Sequence, residues 1–411
     1  MIKSIWTDHK ALAIGLPAIV VVGFLVASLL LTSGGGTTAQ SSATPSATTS
    51  DTPGTSPTDT PLGSPSSSPT DGSSPTPTIS SSPTASPIPA GWIASTLDGV
   101  YAPADLAHRE PIAVMVEDSV SARPQSGISS ASIVYLAPAD GGVPRYMMVF
   151  QEGTAACVGS CTQNAAIGPV RSARPYYVDW ASEYKAVYAH WGGDRESRKT
   201  KIPAMVKSGS IYNMDELSGA CKGTFYRTTR QAPHNGYTNT AFLVSCMAKK
   251  GYPATARKQS PRPFVDPLPL DQRPTTPQNI SIHTPGSSGA TIGYQYQPTG
   301  DLYLRTINGK AEVDPANGHH VYAADVIVMD QGLYYDNTLE YDHNRPVLSD
   351  TGSGTALIFK EGKEIVGKWK KSGATGLTRF YDKSGNEIPL VRGEIFIQSV
   401  PPIKGYTVTV S

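Results

Sequence analysis

The sequence predicts an α+β ectodomain, a mixed α/β N-terminal lobe followed by a mostly antiparallel β C-terminal lobe, preceded by a transmembrane helix and a disordered linker. Three observations predict it. An uncharged apolar run precedes a long Ser/Thr/Pro stretch; strand-like and helical segments then alternate; and beyond a Pro-rich break only short β-prone runs recur.

The apolar run, 11–33, reads ALAIGLPAIVVVGFLVASLLLTS, and a bilayer core needs about 20 such residues. Lys3 and Lys10 lie on its N-terminal side and nothing basic follows until Arg109. The positive-inside rule therefore puts residues 1–10 in the cytoplasm and the remainder outside, as a single-pass protein of the cell membrane. A cleaved signal peptide is the alternative, but its apolar region is usually shorter and ends in a small-x-small site. Residues 34–90 are almost entirely Ser, Thr, Pro, Gly and Ala, too poor in apolar surface to offset chain entropy, so they are expected to form a disordered, semi-extended linker.

The first folded part, 91–258, opens with strand-like runs at 111–117 (PIAVMVE), 132–136 (SIVYL) and 145–151 (RYMMVFQ), rich in β-branched and aromatic residues. In GPVRSARPYYVDWASEY (168–184) Ser172 is placed as the cap of a helix that keeps Pro175 in its first turn and runs to Tyr184. A buried strand at 186–191 (AVYAHW) and a helix at 239–250 ended by Gly251 complete the lobe. The Pro-rich segment 259–278 marks the lobe boundary. In 279–411 the runs 291–297, 302–307, 321–330, 355–360, 376–381 and 394–400 predict the β lobe.

Charge narrows the partners. The chain carries a formal +1; the anchor contributes +1 (Lys3 and Lys10 against Asp8) and the linker −3 (Asp51, Asp59, Asp71), which leaves the ectodomain at about +3. That balance is weak for a nucleic acid, whose binding scales with the phosphates neutralised, and no nucleic-acid partner is expected. Cys157, Cys161, Cys221 and Cys246 all fall in the N-terminal lobe, in what is read as an oxidising compartment, and predict two disulfides. Three pairings are open; neighbours in sequence, Cys157 with Cys161 and Cys221 with Cys246, are preferred. A zinc site lacks ligand spacing in the second pair, and His319-His320 with His343 is a poor ligand set, so neither metal nor cofactor is expected.

The residues resemble the YerB-like bacterial lipoproteins, a family without an assigned activity. The carriers are PIAVMVEDSVSARPQSGISSASIVY (111–135), GPVRSARPYYVDWASEY (168–184), YAHWGGD (188–194) and FYRTTRQAPHNGYT (225–238). In the second lobe they are DVIVMDQ (325–331), the GSG of 352–354 and GKEIVGKWKK (362–371). The resemblance implies an α+β ectodomain with a mixed first lobe and a β second lobe, working on the outer face of the membrane. Two departures stand out: a helix in place of a lipidated cysteine, and APADGG (137–142) where the family tends to carry an acidic EGG turn, which leaves Asp140 as the nearest carboxylate.

Arg171, Ser172 and Arg174 at a helix start suit an anion, since unpaired N–H groups and the helix dipole favour negative charge there. The competing reading is that the arginines pair internally with Asp118 or Asp179. His190, with Asp194, Asp179 or Asp118, is a candidate general acid/base at a strand end, against the alternative of a hydrogen-bonded core histidine. Arg227, Arg230, His234 and Asn235 gather two guanidiniums, an imidazole and an amide on a loop, which forms either a ligand site or a structural turn. Trp191 and Trp369 are candidate sugar-stacking surfaces, although aromatics at strand spacing are commonly core.

No nucleophile elbow, HExxH or phosphate-binding loop is present. The leading expectation is a module that binds cell-wall glycan, its peptide stems or an envelope protein in a cleft near Arg171, Arg174, His190 and His234. The alternatives are an envelope hydrolase using His190 with a neighbouring aspartate, and a structural spacer.

Overall fold

The computed structural model describes residues 88–151, 165–257, 260–286, 288–336, 345–401 and 405–411. The expected span 11–33, all but the last residues of the linker, and Cys157 and Cys161 lie outside these. Among the described residues no helix is long and apolar enough to cross a membrane.

The N-terminal half supplies strands β1 (Ile112–Glu117), β2 (Ile133–Pro138), β3 (Pro144–Phe150), β4 (Val187–His190) and β5 (Tyr212–Asp215). Its longer helices are α1 (Pro175–Glu183), α2 (Ile202–Lys207) and α3 (Thr240–Lys249). The C-terminal half supplies β6 (Ile280–Thr284), β7 (Ala290–Gln297), β8 (Leu302–Ile307), β9 (Lys310–Ala311), β10 (Tyr322–Ala323), β11 (Asp325–Asp330), β12 (Gly352–Lys360), β13 (Lys363–Lys371), β14 (Arg379–Tyr381), β15 (Ile395–Val400) and β16 (Thr407–Val410). Strand and helix are nearly balanced in the N-terminal half, and strand dominates the whole because the C-terminal half adds strands and no α-helix among the described residues.

Both halves build one ten-stranded mixed sheet in the order β14-β13-β12-β11-β15-β2-β3-β1-β4-β5. The seam is β15 lying parallel to β2, with Ile395 opposite Ile133 and Ile397 opposite Tyr135. A second, antiparallel sheet runs β9-β8-β7-β6-β16, with β10 also on β8. The side chains of β1 explain its place between the layers. Ile112, Val114 and Val116 join the core formed with the second sheet and α3, whereas Ala113 and Met115 join the core under α1. An unbroken apolar run buried on both faces is what an interior strand requires.

Helix α1 begins with Pro175 at its first position, where a missing N–H costs nothing, but its cap residue is Arg174, not Ser172. Ser172 lies in the extended segment ahead of it, because Ala173 bridges to Gly193 before the chain turns. The helix lays Tyr176, Tyr177 and Trp180 onto the sheet, with Trp180 stacked on Tyr135 at 4.8 Å between ring centres. Helix α3 is capped by Asn239, whose side chain accepts from Phe242 N–H at 2.8 Å, and Gly251 follows it in the left-handed region. The disulfide Cys221–Cys246 ties α3 to the segment after β5.

Candidate functional site

The parallel strands β1, β2, β4 and β5 end on one edge of the large sheet, the edge where ligands bind in open α/β sheets. Glu117 closes β1, Asp140 follows β2, Gly192 and Asp194 follow β4, and Asp215 closes β5. The predicted arginines and histidines are drawn to these carboxylates, with Glu117 forming one node and Asp140 and Asp194 joined through Arg174 in another.

Glu117 is the richest. Arg171 grips it through both oxygens, Nε to Oε2 at 2.9 Å and a terminal nitrogen to Oε1 at 3.1 Å. His234 Nδ1 lies 2.9 Å from Oε2, and Ser119 donates to Oε1 at 2.8 Å. Burial alone would raise the Glu117 pKa, but these hydrogen bonds and the Arg171 charge outweigh it and hold the carboxyl below its ordinary value. Because the carboxylate engages Nδ1, His234 presents Nε2 on the other side of the ring. Its side chain is 20% exposed, and Nε2 has no partner among the described residues.

Beside it stands the hairpin of Tyr226–Arg227 with Gly236–Tyr237. The Arg227 guanidinium sits 4.5 Å from the Trp191 ring centre and donates to Asn235 Oδ1 at 2.8 Å. Gly236 is required there: a Cβ would come within 2.6 Å of the Trp191 indole. Arg230 turns away, donating to the Tyr237 hydroxyl at 2.8 Å and to the carbonyls of Ser121 and Arg123 at 2.7 and 3.3 Å, so it pins the hairpin to the loop after β1.

The remaining candidates are committed inward. Arg174 donates to Asp140 Oδ1 at 2.8 Å and reaches Asp194 at 3.5 Å, and Arg145 holds Asp140 at 3.2 Å and the Ser172 carbonyl at 2.9 Å. An anion at this helix start would have to displace Asp140. Internal pairing therefore describes both Arg171 and Arg174, with Glu117 and Asp140 as partners in place of the expected Asp118 and Asp179. Asp118 is fully buried against Arg123 at 2.7 Å, and Asp179 holds Lys201 at 2.7 Å. Asp194 meets Arg345 at 3.3 Å and accepts from Ser197 N–H at 2.6 Å.

His190 is wholly buried. Nδ1 bonds the Gly192 carbonyl at 2.7 Å and Nε2 the Asn213 side chain at 2.8 Å, and burial depresses its pKa despite nearby Asp215. With both nitrogens engaged and no exposed edge, it is a core histidine, and the geometry offers it no path to a substrate. The four residues expected around one cleft thus separate: Arg171 and His234 meet on Glu117, Arg174 turns to Asp140, and His190 stays inside. Trp369 is core as well, its indole N–H donating to the Asp330 carbonyl at 2.7 Å. His320 bonds the Arg305 carbonyl at 2.7 Å, and His343 lies outside the described residues.

Residues 97–253 match the model of the N-terminal domain of a protein family of unknown function, DUF3048, and residues 281–397 match its C-terminal domain. The chain belongs to this family. A relative from Bacillus subtilis (strain 168), named "Putative lipoprotein YerB", is 26% identical over 330 residues, which span 79% of this chain and 91% of the relative. The crystal structure of YerB from Bacillus subtilis superposes with a TM-score of 0.65 at 24% identity, covering 77% of this chain and 99% of that one, so the DUF3048 fold is shared.

Glu117 is the member of the site that sequence reasoning passed over. It was legible as the one carboxylate ending an apolar run of β1, the place where a buried charge needs partners. Those partners, Arg171 and His234, lie 54 and 117 residues away and carry no local mark of the pairing.

Proposed function

We propose that this DUF3048 protein is a membrane-anchored, extracytoplasmic binding module whose ligand is cell-wall glycan with its peptide stems. The observation that carries the reading is the outward face formed by His234 Nε2, the Arg227–Trp191 stack and Asn235 at the carboxyl edge of the sheet. The Arg227 guanidinium, held flat on a half-buried indole, offers a planar surface to a sugar ring and a cation for a stem carboxylate. The relative's description as a lipoprotein supports placement outside the membrane.

Retention of the full-length chain on purified peptidoglycan tests the reading. Wild type is expected to sediment with the wall, and Arg227→Ala with His234→Ala to lose most of that retention. If wild type fails to sediment, or the double variant sediments equally, the proposal falls.

One observation favours a hydrolytic reading over a passive one: a buried carboxylate orients His234 and leaves Nε2 open, as a general base requires. That role belongs to His234 with Glu117, not to His190. Muropeptide release that persists in His234→Ala would remove it.

A further inference from the structure

We propose that the junction of the two halves holds a second binding site, for a phosphate monoester of a sugar or polyol. The inference does not depend on the face around His234. A cleft of about 860 Å³ opens there, lined by Glu183 and Lys185 from the end of α1, by Ser353 beside Gly352 at the start of β12, and by Lys370, Lys371 and Arg379 of β13 and β14. That volume lies within the range of small-molecule sites.

Its floor is built from fixed charge. Glu183 and Lys371 are both fully buried and meet at 3.0 Å. Glu183 also accepts from the Thr378 hydroxyl and N–H at 2.7 and 3.0 Å, and Lys371 donates to the carbonyls of Ala374 and Gly376 at 2.7 and 2.9 Å. These bonds set the loop 372–377. A trans peptide points its C=O and N–H in opposite directions, so carbonyls turned onto Lys371 send the N–H groups of Thr375 and Leu377 away from it. Both residues line the cleft, and neither N–H has a partner among the described residues. Nothing lies within 4 Å of where a Cβ would stand on Gly352 or Gly373, so the backbone is open to close approach on both sides.

The charge around this floor is one-sided. Four cationic side chains line the cleft against the one carboxylate of Glu183, which Lys371 already neutralises. Arg379 is committed to Glu387 at 2.7 Å and to the carbonyl of Ser260 at 3.1 Å, and forms a fixed wall of the cleft. Lys370 is exposed, its ammonium 4.4 Å from the Tyr381 ring centre. The exposed Lys370 ammonium and the backbone N–H groups of Thr375 and Leu377 are donors matched to a tetrahedral phosphate. The hydroxyls of Thr351, Ser353 and Thr375 and the face of Tyr381 match the polyol that carries it. With the ectodomain near +3 overall, the local excess suits one phosphate group and not a long polyanion.

Calorimetric titration of the full-length chain with glucose 6-phosphate, glycerol 3-phosphate, inorganic phosphate and glucose tests this. Saturable binding of the two esters is expected, tighter than inorganic phosphate and with glucose much weaker. The Lys185→Glu, Lys370→Glu double variant should weaken the esters at least tenfold with an unchanged melting temperature, and Arg227→Ala should leave them unaffected. Ester binding that is absent, that equals inorganic phosphate, that survives the double lysine variant, or that is lost in Arg227→Ala would overturn the proposal. The same two lysines changed instead to glutamine, Lys185→Gln with Lys370→Gln, repeat the test if the glutamates lower the melting temperature.

Discussion

Glu117 and His234 stand 117 positions apart in the chain and meet at 2.9 Å, so the last residue of a buried strand fixes the ring of an exposed hairpin loop. The pairing also sets a pH dependence. Glu117 has a folded pKa below its ordinary value, so its contribution is fully present above the unfolded pKa near 4.3 and is lost as pH falls through the lower folded value. Glu117→Gln, which strands Arg171, should cost about 3 kcal/mol at neutral pH by urea denaturation. The gap from wild type should close below about pH 4. A gap that stays constant down to pH 3 would contradict the assignment.

Gly236→Ala places a methyl within 2.6 Å of the Trp191 ring. Overpacking of this kind costs about 1–3 kcal/mol. The loss should be accompanied by a shift in tryptophan emission, as the indole is pushed from beneath Arg227. Unchanged emission and stability would show that the hairpin yields without strain.

Glu394 is fully buried, and neither carboxyl oxygen has a hydrogen-bond partner among the described residues. Burial pushes its pKa well above the usual range, with Asp314 adding to the shift and Arg305 opposing it. The native state therefore holds a proton that the unfolded chain releases, and stability falls as pH rises above the unfolded pKa. Glu394→Gln removes that penalty. Its melting temperature should exceed wild type by a margin that widens from about pH 4 upward, and a margin independent of pH would refute the account.

The Cys221–Cys246 bond closes a separation of 25 residues. Loop-closure entropy for such a span is worth about 3.5 kcal/mol. The Cys221→Ala, Cys246→Ala double variant should shift the guanidinium midpoint accordingly, and amide exchange should quicken first in α3. Exchange that quickens first elsewhere would place the effect outside the tethered helix.

Much of the architecture could be read from local pattern. The run 111–117 announced β1, Pro175 and Asn239 announced two helix starts, and Leu302–Ile307 was bounded as found. Strand β13 escaped because KEIVGKWKK alternates charge with apolar residues on a half-exposed ribbon and shows no apolar run. The short β5 escaped because YNMD has no strand pattern at all and gains its pairing only beside β4. The site was legible only as residue types: Arg171 and His234 were expected in one cleft with Arg174 and His190, and Arg227 with Arg230, His234 and Asn235 on one loop. Their partners were not, because burial and long-range pairing decide them, and His190 shows the reverse case, a reactive side chain made inert by the strand that contains it.

The seam between β15 and β2 has a consequence for dissection of the gene. Cutting the chain in the 259–278 segment would expose β2 on one piece and β15 on the other, each a long, apolar, unpaired edge that templates self-association. Either fragment alone should precipitate, yet the two expressed together should find one another and reconstitute the ten-stranded layer, since each carries the edge the other lacks.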